Sequence, residues 1–132
     1  MLKDIQQQIF WRNLLAKIVE KGWGKEVIYA DHEEYCGKLL VYDKAGATSS
    51  MHFHKIKKES WYVLQGSFEY KVIDTSIGNI NTVVINQGDV VTNEIYTIHQ
   101  LIAREDNSII IEVSTKDYSD DNYRVIPGDS QK

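Results

Sequence analysis

Cysteine is nearly absent: Cys36 stands alone among 132 residues, so no disulfide forms within the chain and the fold must be held by its core. That suits a reducing compartment. Proline is as scarce, with Pro127 the only one. A basic excess is missing as well, because 15 Lys and Arg stand against 19 Asp and Glu, a net charge of -4, and neither sign gathers into a block. Nucleic-acid binding, which relies on Lys and Arg at the phosphates, fits poorly. No apolar run approaches the roughly 18 residues of a membrane span. Gln6, Gln7, Gln8 and Arg12 interrupt the N-terminal stretch where a signal peptide would need one. A soluble, cytoplasmic protein without membrane or nucleic-acid partners is the expectation. At roughly 100 to 200 residues per domain there is also no room for a second core.

What is present falls into two patterns. From Asp4 to Glu20, Ile5, Ile9, Leu14, Leu15, Ile18 and Val19 recur at helical spacing, with Asp4 as N-cap and Gly22 after the last turn. The spacing predicts an amphipathic helix within residues 1–21, a surface suited to the barrel wall or to a homodimer. Beyond Gly22, nine short β-rich runs follow at intervals of about eight to twelve residues. They cover 25–30, 38–42, 51–54, 60–64, 68–74, 81–85, 89–92, 97–103 and 108–114. Gly46, Gly66, Gly78-Asn79 and Gly88-Asp89 mark the reversals, read as hairpins. So many short strands in a small chain close most economically as a barrel or jelly roll over residues 22–132. The polar tail after Thr115 is expected to wrap it as a loop.

Three histidines carry the chemical signal. In Met51-His52-Phe53-His54, alternation along a strand puts both imidazoles on one face, about 7 Å apart and able to converge on one ion. Glu59 opens the next run and brings a carboxylate beside the pair. His99, 40 residues later, offers a third imidazole from another strand. Three imidazoles and a carboxylate suit one divalent transition metal ion, Zn, Mn, Fe, Ni or Co, better than Ca or Mg. The pattern Gly46-x5-His52-x-His54-x4-Glu59-x6-Gly66 arises by chance about 2 times in 100,000 at this composition.

The segment GATSSMHFHKIKKESWYVLQG resembles the first motif of the cupin superfamily at every specified position. The second motif is met in part by GDVVTNEIYTIHQLIA: Gly88 and His99 fit, while Glu94, Tyr96 and Ala103 stand where proline, glycine and asparagine belong. The resemblance implies an all-β fold, the cupin double-stranded β-helix, with His52, His54, Glu59 and His99 as metal ligands. A narrower likeness covers about residues 22–125. Trp23-Gly24, the run KESWYVLQG, Glu112-Val113 and the element Asp120, Asp121, Arg124 are similar to the cupin domain of type II mannose-6-phosphate isomerases.

That likeness implies an aldose-ketose isomerase or epimerase acting on a sugar or sugar phosphate. Arg124 would then bind a substrate hydroxyl or phosphate. Trp61 shares parity with Glu59 and points inward, to stack on the substrate or to fill the barrel. Glu94 and Tyr96 are the catalytic base candidates, while Lys55, Lys57 and Lys58 read as a solvated turn. The same donor set also admits an Fe(II)-dependent dioxygenase or a non-catalytic metal-containing module that binds a sugar or small molecule.

Overall fold

The computed structural model describes residues 15–132. Eleven strands make up more than half of this region: β1 (Lys17–Lys21), β2 (Gly24–Asp31), β3 (Cys36–Tyr42), β4 (Met51–Phe53), β5 (Glu59–Gln65), β6 (Ser67–Asp74), β7 (Asn79–Asn86), β8 (Val90–Asn93), β9 (His99–Ala103), β10 (Ser108–Ser114) and β11 (Tyr123–Ile126). They form two antiparallel sheets, of order β1-β2-β3-β10-β5-β8 and β11-β4-β9-β6-β7. Each of the nine runs expected from the sequence is a strand. No helix among the described residues is long and apolar enough to cross a membrane.

Inward and exposed positions alternate along the central strands, and the inward set mixes apolar with polar and charged side chains. On β5, Glu59, Trp61 and Val63 point in while Tyr62 and Leu64 face solvent, and on β10 Ser108, Ile110, Glu112 and Ser114 point in. Trp23 stacks on Tyr42 at 4.3 Å, and the edge of Phe68 meets Tyr42 at 5.1 Å, filling one end of the barrel with aromatic surface. Gly66 turns β5 into the other sheet. It sits at φ 78, where a side chain is strained, and a Cβ there would lie 2.2 Å from Ser108 Oγ.

Three expectations are corrected. Residues 17–21, assigned to the amphipathic helix, are a strand that pairs with β2 in the register Ile18↔Val27 and Glu20↔Lys25. Two β-rich runs flank the two-residue turn Gly22-Trp23, and their pairing overrides the helical spacing of Ile18 and Val19. The predicted helix's residues up to 14, including Ile5 and Ile9, lie outside the described residues. The tail is not a plain loop either, since β11 adds to β4 and places Arg124 opposite His52. Finally, the expected hairpins are mostly crossings: Gly78 joins the paired strands β6 and β7, but the connections at Gly46, Gly66 and Gly88, and that between β4 and β5, each pass from one sheet to the other. Residues 54–58 cross from one sheet to the other, so the histidines and Glu59 approach the barrel axis from opposite sides.

Candidate metal centre

The five-stranded sheet supplies the imidazoles. His52 on β4 lies directly opposite His99 on β9, and His54 follows two residues later on the same face. Ring centroids are 4.6 Å apart for His52 and His99, 5.0 Å for His52 and His54, and 5.8 Å for His54 and His99. Each ring is fastened through Nδ1 to a main-chain carbonyl: Ser50 at 2.9 Å, Asp121 at 2.6 Å and Thr97 at 2.8 Å, respectively for His52, His54 and His99. A carbonyl oxygen only accepts, so each Nδ1 carries a proton. Ligand atoms of the three rings lie within 4.8 Å of one another. Burial, then the neighbouring His99 and His54, hold His52 down at about 3, and burial with the Lys57 ammonium lowers His54. These two rings are therefore neutral at neutral pH, as metal ligation requires.

The six-stranded sheet and the 54–58 crossing face these rings with ionised groups. Glu59 is 2% exposed; its Oε1 accepts from Asn93 Nδ2 at 3.2 Å and its Oε2 lies 3.0 Å from Lys57 Nζ. Lys57 is buried too, with Nζ 3.4 Å from Glu112 Oε2 and 3.9 Å from Asp117 Oδ1. Lys38 joins Glu26 at 3.2 Å and Asp117 at 2.5 Å. Trp61 Nε1 donates to Glu112 Oε1 at 3.0 Å. Burial opposes ionisation of Glu59, but Lys57 together with His99 and His54 outweighs it and holds the carboxyl below its usual range. Burial and the Glu59 charge instead push Glu112 up to about 7. For Lys57, burial is outweighed by Glu112 and Glu59, which raise it.

His99 Nε2 lies 3.1 Å from Glu59 Oε1, and His54 Nε2 3.9 Å from Glu59 Oε2. Among the described residues, His99 Nε2 and Glu59 Oε2 are buried side-chain atoms without a hydrogen-bond partner. Orphaned buried atoms of this kind are rare and call for an ion or another partner. Lys57 serves Glu59 Oε2 as an ion pair, and a cation among the imidazoles would serve His99 Nε2 and the facing Glu59 Oε1. The nitrogen-rich donor set fits a first-row transition ion.

A cavity of about 400 Å³ opens onto this centre, lined by His52, His54, Glu59, Trp61, Lys57 and Glu112 among others. Of the residues expected there, Trp61 lines the cavity, 4% exposed, with its ring edge 5.3 Å from His99. Arg124 is exposed on β11, lines the same cavity and makes no ion pair with Asp120 or Asp121. Glu94 and Tyr96 are elsewhere. Glu94 is 64% exposed in its side chain and pairs with Lys58 at 3.1 Å, and Tyr96 is 57% exposed beside Phe53. Neither lines the cavity, because the turn before β9 curls outward, with Tyr96 at φ 65 donating its N–H to His54 O.

Sequence reasoning missed Lys57, Lys38 and Glu112. Parity held the signal for two of them: Lys38 shares the inward side of β3 with Cys36, Leu40 and Tyr42, and Glu112 that of β10 with Ile110. Lys57 had no such signal, since it sits in the crossing, where the Asp121 carboxylate accepts from the N–H groups of Lys55, Ile56 and Lys57.

No family model matches the chain, and no curated protein is similar to it. Solved structures are. KdgF from Halomonas sp. superposes with a TM-score of 0.63 at 23% identity, over 73% of this chain and 81% of that one. The capsular polysaccharide assembling protein CapF from Staphylococcus aureus reaches 0.73 at 14% identity over 84% of this chain. Oxalate decarboxylase from Bacillus subtilis reaches 0.71 at 18% identity over 83%. The chain spans only about a third of the latter two, 32% and 30% of their lengths. At these identities the likeness concerns the fold.

Proposed function

From the premise that this chain has the cupin fold, we propose that it is a metal-dependent protein acting on a sugar or sugar phosphate, as an aldose-ketose isomerase or epimerase. The observation that carries the reading is the convergence of three Nδ1-fastened imidazoles, two of them, His52 and His54, at the wall of a 400 Å³ cavity. His52, His54 and His99 would hold the ion, with Glu59 the fourth candidate ligand. When bound, such an ion supplies Lewis acidity at a carbonyl or hydroxyl oxygen.

The chain's own residues do the rest. Glu112 lines the cavity and, raised to about 7, is suited to take a proton from a substrate carbon and return it to the neighbouring one. It replaces Glu94 and Tyr96 in that role, because both lie outside the cavity. Trp61 offers an apolar wall, and Arg124 a guanidinium for hydroxyl or phosphate oxygens at the exposed edge. The CapF likeness, to a protein that assembles a capsular polysaccharide, agrees with a carbohydrate ligand. A cytoplasmic homodimer completes the reading, and sedimentation at about twice 15.2 kDa checks the dimer.

The test is metal content by mass spectrometry for the wild type, His52→Ala and His99→Ala, followed by proton NMR of aldoses, ketoses and their phosphates with the loaded protein. About one ion per chain in the wild type only, with interconversion of a sugar pair, is expected for a three-histidine site. Metal with saturable sugar binding but no turnover would favour a binding module, and oxygen uptake with Fe(II) a dioxygenase. No metal after reconstitution with Fe, Mn, Ni and Zn overturns the reading.

A further inference from the structure

Resting on the metal-binding reading, we infer that the segment Gly128 to Ser130, beyond β11, is a positioning element for the metal centre, because it backs the Ser49–Ser50 peptide that orients His52. Residues 128–130 run through a slot between the β1–β2 turn and residues 48–50. On one side, the Asp129 N–H donates to Thr48 O at 2.9 Å and Asp129 Oδ2 accepts from Thr48 N at 2.8 Å. On the other, Ser130 Oγ accepts from Gly22 N at 3.0 Å. The slot has no room for a side chain. A Cβ on Gly128 would lie 2.3 Å from both Ser49 C and Ser50 N, and one on Gly22 would lie 2.3 Å from Asp129 O. Neither glycine is there for its backbone conformation, since Gly128 has φ -113, open to any residue, and Gly22 is not at positive φ. What both supply is close approach of one main chain to another.

The peptide that Gly128 backs is the one that holds the His52 ring. Ser50 O accepts from His52 Nδ1 at 2.9 Å, and Ser50 Oγ lies 3.1 Å from the same nitrogen. Strand β9 holds this peptide as well: Ser49 N donates to Leu101 O, Leu101 N to Ser49 Oγ and Gln100 Nε2 to Ser49 O, each at 3.0 Å. Fixed by β9 and backed by Gly128, the Ser49–Ser50 peptide has little freedom to move, and the ring inherits its position. Groups that orient a metal ligand in this way change metal affinity by about 10- to 100-fold when they are lost. His54 and His99 are fastened instead to the carbonyls of Asp121 and Thr97, neither of which lies in residues 48–50, so the segment acts on one ring of the three. Ser130 and Gln131 line the same cavity as His52, so the segment also forms part of the wall beside the ring it positions.

The experiment follows the Nδ1 protons of the three histidines by NMR in metal-free protein, and the affinity for Co(II) by competition with a chelating dye. Gly128→Ala displaces the peptide, so the His52 Nδ1 proton should shift and exchange faster with water while those of His54 and His99 stay as they are. Co(II) affinity should fall by about 10- to 100-fold. Asp129→Ala should act in the same direction, and Asp129→Asn, which keeps an oxygen for the Thr48 N–H, should restore most of the loss. Should Gly128→Ala fail to fold, that pair carries the same expectation. Gly37→Ala separates positioning from general damage, because its Cβ would meet the Tyr29 ring at 2.4 Å within the other sheet. It should lower stability and leave both the His52 proton and Co(II) affinity unmoved. A His52 proton unchanged in Gly128→Ala or in Asp129→Ala overturns the inference, and so does an equal loss of affinity in Gly37→Ala. If the wild type takes up no Co(II), the metal-binding reading fails, while the NMR comparison still decides whether the segment positions the His52 ring.

Discussion

On the β4–β9 face, three imidazoles are each tied to a main-chain carbonyl, two of them to a residue only two positions back in the chain. On the opposite face, Glu26, Lys38, Lys57, Glu59, Glu112 and Asp117 are tied to one another, by side chains drawn from β2, β3, β5, β10, the 54–58 crossing and the segment before β11. The first arrangement is mostly local: His52 and His99 are set by backbone of their own strands and His54 by the Asp121 carbonyl, so removing one ring leaves the others in place. The second is collective, because buried charges are tolerable only while their partners remain, and loss of any one exposes the rest. The histidine face therefore sets what the site binds, and the charged face sets how stable the barrel is around it.

The largest effect should come from breaking the charged face. Lys57→Met in metal-free protein leaves Glu59, Glu112 and Asp117 short of a cation and should cost about 4 kcal/mol in urea unfolding. His52→Ala, on the histidine face, should cost only about 1 kcal/mol. If the histidine variant proved the more damaging of the two, the contrast between the faces would be lost.

Next in size is a pH effect confined to the charged face. Glu112 is raised to about 7 in the folded protein, from 4.5. Below pH 4.5 it is neutral in both states and costs nothing. Between 4.5 and 7 the folded state holds a proton that the unfolded state has released, so this group's contribution falls as pH rises and is lost above 7. Glu112→Gln removes that dependence. Relative to wild type, the variant should gain about 3 kcal/mol in stability between pH 4.5 and 7.5 in metal-free protein. His52 and His54, lowered on the other face, titrate in both proteins and cancel from the difference. A variant whose stability tracks the wild type at every pH would show that Glu112 is ionised in the fold at neutral pH.

Asp121 joins the two faces, since its carboxylate holds the crossing that carries Lys57 while its main-chain oxygen holds His54. Asp121→Asn keeps one carbonyl oxygen but loses the charge assistance, at a cost of about 2 kcal/mol. Amide exchange should quicken at residues 55 to 57, and metal affinity should fall through His54 alone. Unchanged exchange there would mean that the crossing is held by something other than Asp121.

The same contrast explains what was legible in the sequence. Strand alternation and the spacing of His52, His54, Glu59 and His99 are properties of short stretches, so the nine runs and the three imidazoles were within reach. Where partners are distant in the chain, legibility ended. β1 looks helical because Ile18 and Val19 fit a helical stripe, and only pairing with β2 reveals a strand. β11 is a polar tail until it lies along β4. Lys57 reads as one of three solvated turn lysines until Glu59, Glu112 and Asp117, from 2 to 60 residues away, surround it. Lys38 and Glu112 were within reach of parity, but a charged residue at an inward position is discounted unless its partner is also seen.

The smallest effect belongs to the turn before β9, where the sequence departs from the cupin pattern. Tyr96 stands at the glycine position and still adopts φ 65, the left-handed region that costs a side chain about 1 to 2 kcal/mol. The ring recovers part of this by stacking beside Phe53 at 6.2 Å, and the Tyr96 N–H donates to His54 O at 2.7 Å. Tyr96→Gly removes the strain and the stacking but keeps that hydrogen bond, so the net gain should be about 1 kcal/mol by urea unfolding. His99 is oriented by the Thr97 carbonyl rather than by the side chain at 96, so metal affinity should not move. A stabilised variant with unaltered affinity would show that backbone hydrogen bonds alone orient the histidine face. A drop in affinity would mean that the Tyr96 ring, through Phe53 and β4, also helps to hold His52 and His54, and the two faces would then be less different than their chemistry suggests.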